Sequence, residues 1–350
     1  MVRPQRDRRH AGARDGGYHG RPRGDGCRCV ILDVHTHFIP RFVAEDAADG
    51  GVFGVRADGG WLVHPQGYRY PVVPEFLDAG AKLADMDRLG IDASVLSIAP
   101  TLFFYDQPAA EAASFAERAN DALAELVAGE ERLRGFATLP LQDGGVAAAE
   151  LERSVRTLAL VGAQIGTNCG PTPIDAPELA PVLETAELLG VPLMLHPYYV
   201  GPKPMLEDFY FTNSVGNPLD TCIAAARLIH SGALDRHPGL RVVLVHAGGF
   251  MPYQLGRLDH AFEVRQEPRV AIEREPSSYL GRFWFDSITH SDASLEFLVS
   301  FVGTDRIVLG TDLPFDMGDP VPLERIRRVG VDPDELGSTA ATLLGIEVAA

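Results

Sequence analysis

The sequence is poor in cysteine, and the few it has are badly placed for cross-linking. Cys27, Cys29, Cys169 and Cys222 are four in 350 residues, with no spacing that outlines a disulfide framework or a zinc ribbon. Free thiols in a reducing, cytoplasmic setting are the plain reading. Long apolar runs are also missing. No window approaches the roughly 20 residues of a membrane-crossing helix. The N-terminal stretch lacks the continuous apolar segment of about 7–15 residues that a secretory signal needs. Positive charge is scarce outside one place: Lys and Arg total 31 against 48 Asp and Glu, a formal net charge of −17. Residues 1–29 hold eight Arg and three Asp, hence +5, and the rest of the chain carries −22. An acidic body of this kind argues against nucleic-acid and membrane-surface partners. An acidic substrate then has to be gripped by individual arginines.

What is present is enough for a substantial core, with 46% apolar and 8% aromatic residues. Residues 1–29 form an Arg/Gly-rich tail expected to be disordered, a short appendage or the product of an upstream start. From residue 30 to 350 one unit is expected. Strand-like runs fall at 30–34, 93–98, 133–138, 162–166, 191–195, 241–245, 282–286 and 306–310. Helix-like segments stand between them at 78–89, 108–128, 145–160, 177–189, 216–230, 250–264, 292–302 and 334–344. Strands separated by helices pair in parallel, and eight such units predict an α/β fold of the (β/α)8 TIM-barrel type. A doubly wound open sheet is the competing layout. It usually carries a Gly-rich phosphate turn after its first strand, where this chain has HTHFIP. Residues 41–77 are a long insertion after strand one, of the length expected of a lid.

Residues two apart in a strand point the same way, so His35 and His37 face one point at the end of the first run. Alone, such a pair is weak among 11 histidines. The pattern recurs, however: His196 closes the fifth run, His246 closes the sixth, and Asp312 follows the eighth. Barrel active sites gather at the C-terminal ends of strands, so these groups are expected to converge. Imidazoles with one carboxylate and an open position suit a divalent metal, zinc first, with manganese or iron as alternatives. Asp312 is placed to take a proton as well as to ligate. Gly248 and Gly249 allow close backbone approach after strand six. Trp61, Phe103, Phe104 and Tyr105 are candidate pocket walls, with core packing the plainer role. His290 is a candidate supporting group, and His64 and His260 are expected on the surface.

HTH after the first strand, LHP at the fifth, VHAGG at the sixth and GTDLPF at the eighth occur in that order. ATLPLQD (137–143), QIGTN (164–168), LGRLDHAF (255–262) and PSSYLGRFWFDS (276–287) accompany them. Together, over about residues 30–345, they resemble the amidohydrolase superfamily. More narrowly they resemble its metal-dependent decarboxylases of the 2-amino-3-carboxymuconate 6-semialdehyde decarboxylase type. The resemblance implies His35, His37, His196 and Asp312 as metal ligands and His246 as the acid/base beside the metal. It implies Arg257 as a carboxylate-binding group donated to a neighbouring subunit, hence a homodimer. Arg69, in GYRYPV, is similar to a second carboxylate-binding Arg, and Tyr198 and Phe315 fall at substrate-pocket positions.

Three departures bear on the substrate. Tyr198 stands where the best-known decarboxylase has Trp, and Leu313 stands where Tyr is common, both at expected pocket positions. A near-terminal Asn often found in the family is absent from GSTAATLLG. The implied activity is non-oxidative decarboxylation of a small unsaturated or aromatic carboxylic acid. It is chemically apt, because loss of CO2 leaves a carbanion that needs charge stabilisation and a proton. A hydrolase or hydratase on the same metal platform is the alternative, and a non-catalytic ligand-binding barrel is the alternative from another class.

Overall fold

A computed structural model describes residues 30–46, 51–198 and 204–346. The tail 1–29, with Cys27 and Cys29, lies outside the described residues. Strands and helices alternate along the rest. The strands are β1 (Leu32–Phe38), β2 (Ala93–Ile98), β3 in two pieces (Leu133–Gly135 and Ala137–Thr138), β4 (Ala163–Gly166), β5 (Pro192–His196), β6 (Arg241–Leu244), β7 (Phe283–Asp286) and β8 (Ile307–Val308). The helices that follow them are α1 (Ala79–Leu89), α2 (Ala109–Val127), α3 (Gly144–Arg156), α4 (Ala180–Leu189), α5 (Asn217–His230), α6 (Met251–Val264), α7 (Asp292–Val302) and α8 (Pro333–Leu344). Side chains set several helix starts. Asp78, Asp143, Ser291 and Asp332 each accept a backbone N–H of the first turn of α1, α3, α7 and α8.

The strands close into a ring. β1, β2 and the first piece of β3 pair in parallel, and the second piece of β3 continues through β4, β5, β6 and β7 to β8. At the break in β3, Phe136 N still donates to Leu96 O (2.8 Å). β8 meets β1 only through bridges, Val34 N to Leu309 O (2.9 Å) and His37 N to Leu313 O (2.8 Å). The barrel is therefore closed but distorted, and the open sheet is ruled out. A register shift between Asp33 and Thr36 gives β1 one more residue than β2 over the same interval. Such bulges bend a strand and re-aim its side chains, and this one lies at the first histidine.

The insertion is a packed element. A helix, Arg41–Asp46, leads into a three-stranded antiparallel sheet of Arg56–Asp58, Trp61–Val63 and Arg69–Pro71. Val55, Leu62, Tyr70 and Phe76 are buried with the main core. His64 corrects the surface expectation: it is 3% exposed, and its ring stacks on Tyr68 at 4.3 Å and on Tyr70 at 5.6 Å. His64 follows the strand Trp61–Val63, and the turn it opens folds its ring against those of Tyr68 and Tyr70. His260 is exposed, as expected, and Phe103, Phe104 and Tyr105 are core residues. The helix Pro322–Arg328 was not expected from the sequence. Among the described residues no helix is long and apolar enough to cross a membrane, and Cys169 and Cys222 are free thiols.

Candidate active site

The C-terminal ends of the strands meet at one place. β1 delivers His35 and His37, β5 ends in His196, and His246 opens the turn after β6. Asp312 follows β8 with φ +57°. One ligand atom from each of His35, His196, His246 and Asp312 lies within 4.8 Å of the others. His37 joins from the side, its Nε2 2.8 Å from Asp312 Oδ1 and 3.2 Å from His35 Nε2. All five residues expected at the metal and acid/base positions are thus in one cluster.

Three of the imidazoles are anchored through Nδ1. Asp286 Oδ2, at the end of β7, accepts from His35 Nδ1 at 2.7 Å. Ser97 Oγ donates to Gln164 Oε1 (2.7 Å), which leaves its oxygen to accept from His37 Nδ1 at 3.3 Å. His196 Nδ1 donates to Pro197 O at 2.5 Å. Each ring is thereby set in the tautomer whose Nε2 lone pair points into the cluster. Among the described residues His196 Nε2 is buried with no hydrogen-bond partner. Two lone pairs 3.2 Å apart, on His35 and His37, repel one another unless a proton or cation lies between them. This donor set fits a divalent cation. His246 differs: among the described residues its Nδ1 has no hydrogen-bond partner, its ring is partly exposed, and its Nε2 is 3.5 Å from Asp312 Oδ2.

The buried groups of the cluster are shifted in different directions. Burial pushes His37 down to about 4. Burial and the neighbouring imidazoles hold His196 well below the usual range. Burial also opposes charge on His35, but the hydrogen bond to Asp286 and the charges of Asp312, Asp286 and Asp33 outweigh it and raise that residue. For Asp312, burial favours the acid, yet the contact from His246 and the charge of His35 hold the carboxyl well below its ordinary range.

Two cavities flank His246 and Asp312, one of about 660 Å³ and one of about 500 Å³. The smaller is walled by Trp61, Arg69, Tyr198 and Phe315 and reaches His196. Arg69 lies 5.0 Å over the Trp61 ring. The Tyr198 hydroxyl accepts from Gly170 N (2.9 Å), and Phe315 sits edge-on to His37 at 5.2 Å. The larger cavity is more apolar, with Phe250, Ile288 and Phe297, and the exposed His290 is in its wall rather than supporting the cluster. Arg257 is exposed on α6 and borders neither cavity. Leu313 corrects a sequence expectation. It lines neither cavity, because its backbone is tied to β1 and its side chain packs beside Gly318. Sequence reading missed Asp286, which accepts from His35, from His246 N (2.9 Å) and from Ala247 N (2.7 Å). The available signal was an acid closing strand seven, in FWFDS.

A closed parallel barrel with clustered imidazoles and a carboxylate at its C-terminal mouth defines a metal-site barrel protein. The model of the amidohydrolase family matches residues 32–338, and the chain belongs to that family, among its decarboxylase-like members. It is 30% identical to the 2-amino-3-carboxymuconate-6-semialdehyde decarboxylase of Dictyostelium discoideum over 334 residues, covering 91% of this chain and 93% of that one. It is 35% identical over 254 residues to the gamma-resorcylate decarboxylase of a Polaromonas species, covering 66% of this chain and 75% of that one. Among solved structures it resembles 5-carboxyvanillate decarboxylase from Sphingomonas paucimobilis (TM-score 0.77, 26% identity, 91% of this chain and 100% of the other). It also resembles a dihydroxybenzoic acid decarboxylase from Polaromonas determined with bound manganese and the inhibitor 2-nitroresorcinol (TM-score 0.75, 26% identity, 90% and 96%).

Proposed function

We propose that this protein is a metal-dependent, non-oxidative decarboxylase of a small unsaturated or aromatic carboxylic acid. The observation that carries the reading is the set of three Nδ1-anchored imidazoles aimed with Asp312 at one point, beside a cavity walled by Arg69 and aromatic rings. His35, His37, His196 and Asp312 would hold a divalent cation. Nitrogen-rich ligation favours zinc, and the manganese of the Polaromonas relative makes manganese the alternative, with iron a third. When bound, the ion supplies Lewis-acid stabilisation of negative charge that develops as CO2 leaves.

The chain's own groups do the rest. Arg69 grips the substrate carboxylate as a planar fork and sets its orientation. Tyr198 and Phe315 hold the unsaturated plane against the cluster and exclude water. His246 delivers a proton to the carbon whose bond to the carboxyl group breaks, while that bond's electron pair stays on the carbon. Its lack of an Nδ1 anchor and its contact with both cavities suit it to moving protons rather than to ligation. Arg257, which borders neither cavity of its own chain, reaches the site of a second copy, so a homodimer is the working assembly. The free thiols suit a cytoplasmic protein.

The test is CO2 release from 2,6-dihydroxybenzoate, 5-carboxyvanillate and 2-amino-3-carboxymuconate 6-semialdehyde, with metal stripped and restored. CO2 stoichiometric with acid consumed, lost on chelation and reduced at least ~100-fold in His246→Gln, is expected. Undiminished turnover in the stripped protein, or a hydrolysis product without CO2, overturns the proposal.

A further inference from the structure

Lys82 is a buried cation with no part in the chemistry described above. It lies on α1 with 3% of its surface exposed, and forms no ion pair among the described residues. Its ammonium donates to Thr36 Oγ1 at 2.8 Å. Taking an ammonium out of water is unfavourable unless its environment compensates; its hydrogen-bond partner is a neutral hydroxyl, and the carboxylates of Asp33, Asp85 and Glu75 favour its charge from further off.

The direction of each bond is settled by the groups themselves. Thr36 Oγ1 is 2.7 Å from the carbonyl oxygen of Leu313, which can only accept. The hydroxyl therefore gives its single proton to Leu313, and its oxygen accepts from Lys82, which has only donors. The chain Lys82 to Thr36 to Leu313 is polarised throughout, and a charged first donor strengthens the second bond. Its location gives it meaning. Thr36 stands between His35 and His37, and Leu313 follows Asp312, which is held in the left-handed region at φ +57°. The same junction carries His37 N to Leu313 O and Asp312 N to His35 O, each 2.8 Å. It is also where β1 and β8 touch only by bridges rather than by a full ladder.

We infer that Lys82 is a positioning residue for the cation site. Through Thr36 it locks β1 to the segment after β8, and so holds Asp312 in register with His35 and His37. The inference rests on the metal-binding reading above.

The experiment measures metal dissociation constants by chelator competition for zinc and manganese, beside thermal unfolding of the metal-free proteins. Variants are Lys82→Met, Lys82→Arg, Thr36→Val and the double variant Lys82→Met/Thr36→Val. Lys82→Met and Thr36→Val are each expected to weaken metal binding about 10–100-fold, as loss of a supporting contact to a ligand does. The double variant should be little worse than either, and Lys82→Arg should recover much of the affinity. The unfolding midpoint of the metal-free protein should not follow the loss. If Lys82→Met does not fold, Thr36→Val carries the test alone with the same expected loss. Variants that bind metal within twofold of the parent, or additive losses in the double variant, overturn the inference alone. A parent that binds neither metal overturns the functional reading, and this inference with it.

Discussion

Asp286 shows how a single residue serves two strands. Its carboxylate accepts hydrogen bonds from His35 Nδ1–H and from the backbone N–H groups of His246 and Ala247. It thus sets the tautomer of one imidazole and the position of another. Asp286→Asn keeps the shape but turns one acceptor into a donor facing those N–H groups. Metal affinity is expected to fall about 10–100-fold, read by chelator competition. His64 makes a different point. Burial pushes it down to about 3, against an unfolded value near ~6.5. Above pH 6.5 the imidazole is neutral in both states. Below it only the unfolded chain takes up the proton, so stability falls with acid until the pH reaches the folded value near 3. At pH 5 the loss from this group is about 2 kcal/mol. Urea unfolding at pH 7 and pH 5 should therefore show a drop that is smaller by about that amount in His64→Phe. Equal drops in parent and variant would refute the assignment.

At the scale of elements, the turn after β6 matters beside the strands that carry His35, His37 and His196. The turn after β6 places His246 and Ala247 at φ +54° and +56°, followed by Gly248 and Gly249. At Gly249, φ is +59°, and a Cβ would stand 2.2 Å from Pro218 O at the start of α5. Gly249→Ala must therefore move either the turn or α5. A loss of about 1–3 kcal/mol in urea unfolding is expected, with turnover reduced because His246 shifts against Asp312. Unchanged stability would show that the approach relaxes freely. The close approach allowed by the two glycines was legible in the sequence, as were the strand-end histidines, because alternation along a strand is a local rule. The bulge in β1 was not legible. It follows from the register against β2, which no property of the segment itself specifies.

At the scale of the whole molecule, Arg257 is the residue on which the proposed homodimer is tested. It is exposed and borders neither cavity of its own chain; its expected role in a second copy comes from the resemblance to the family's decarboxylases. Light scattering should report a dimer, and Arg257→Ala should raise KM for the acid about 10–100-fold through loss of a charge-assisted hydrogen bond. Mixing inactive His246→Gln chains with Arg257→Ala chains should restore activity, since one hybrid site then has both groups. No recovery, with a monomeric parent, would remove the assembly from the account. The alternation of apolar runs with amphipathic segments determined the barrel by itself. Crossover length and strand parity are properties of neighbouring residues, and they put His35, His37, His196, His246 and Asp312 at strand ends. Only the tertiary structure decided that Asp286 orients His35 from 251 positions away, that His64 is buried, and that Leu313 turns from the pocket while its carbonyl accepts from Thr36. Those are outcomes of contacts between distant segments, and they exist only once the ring has closed.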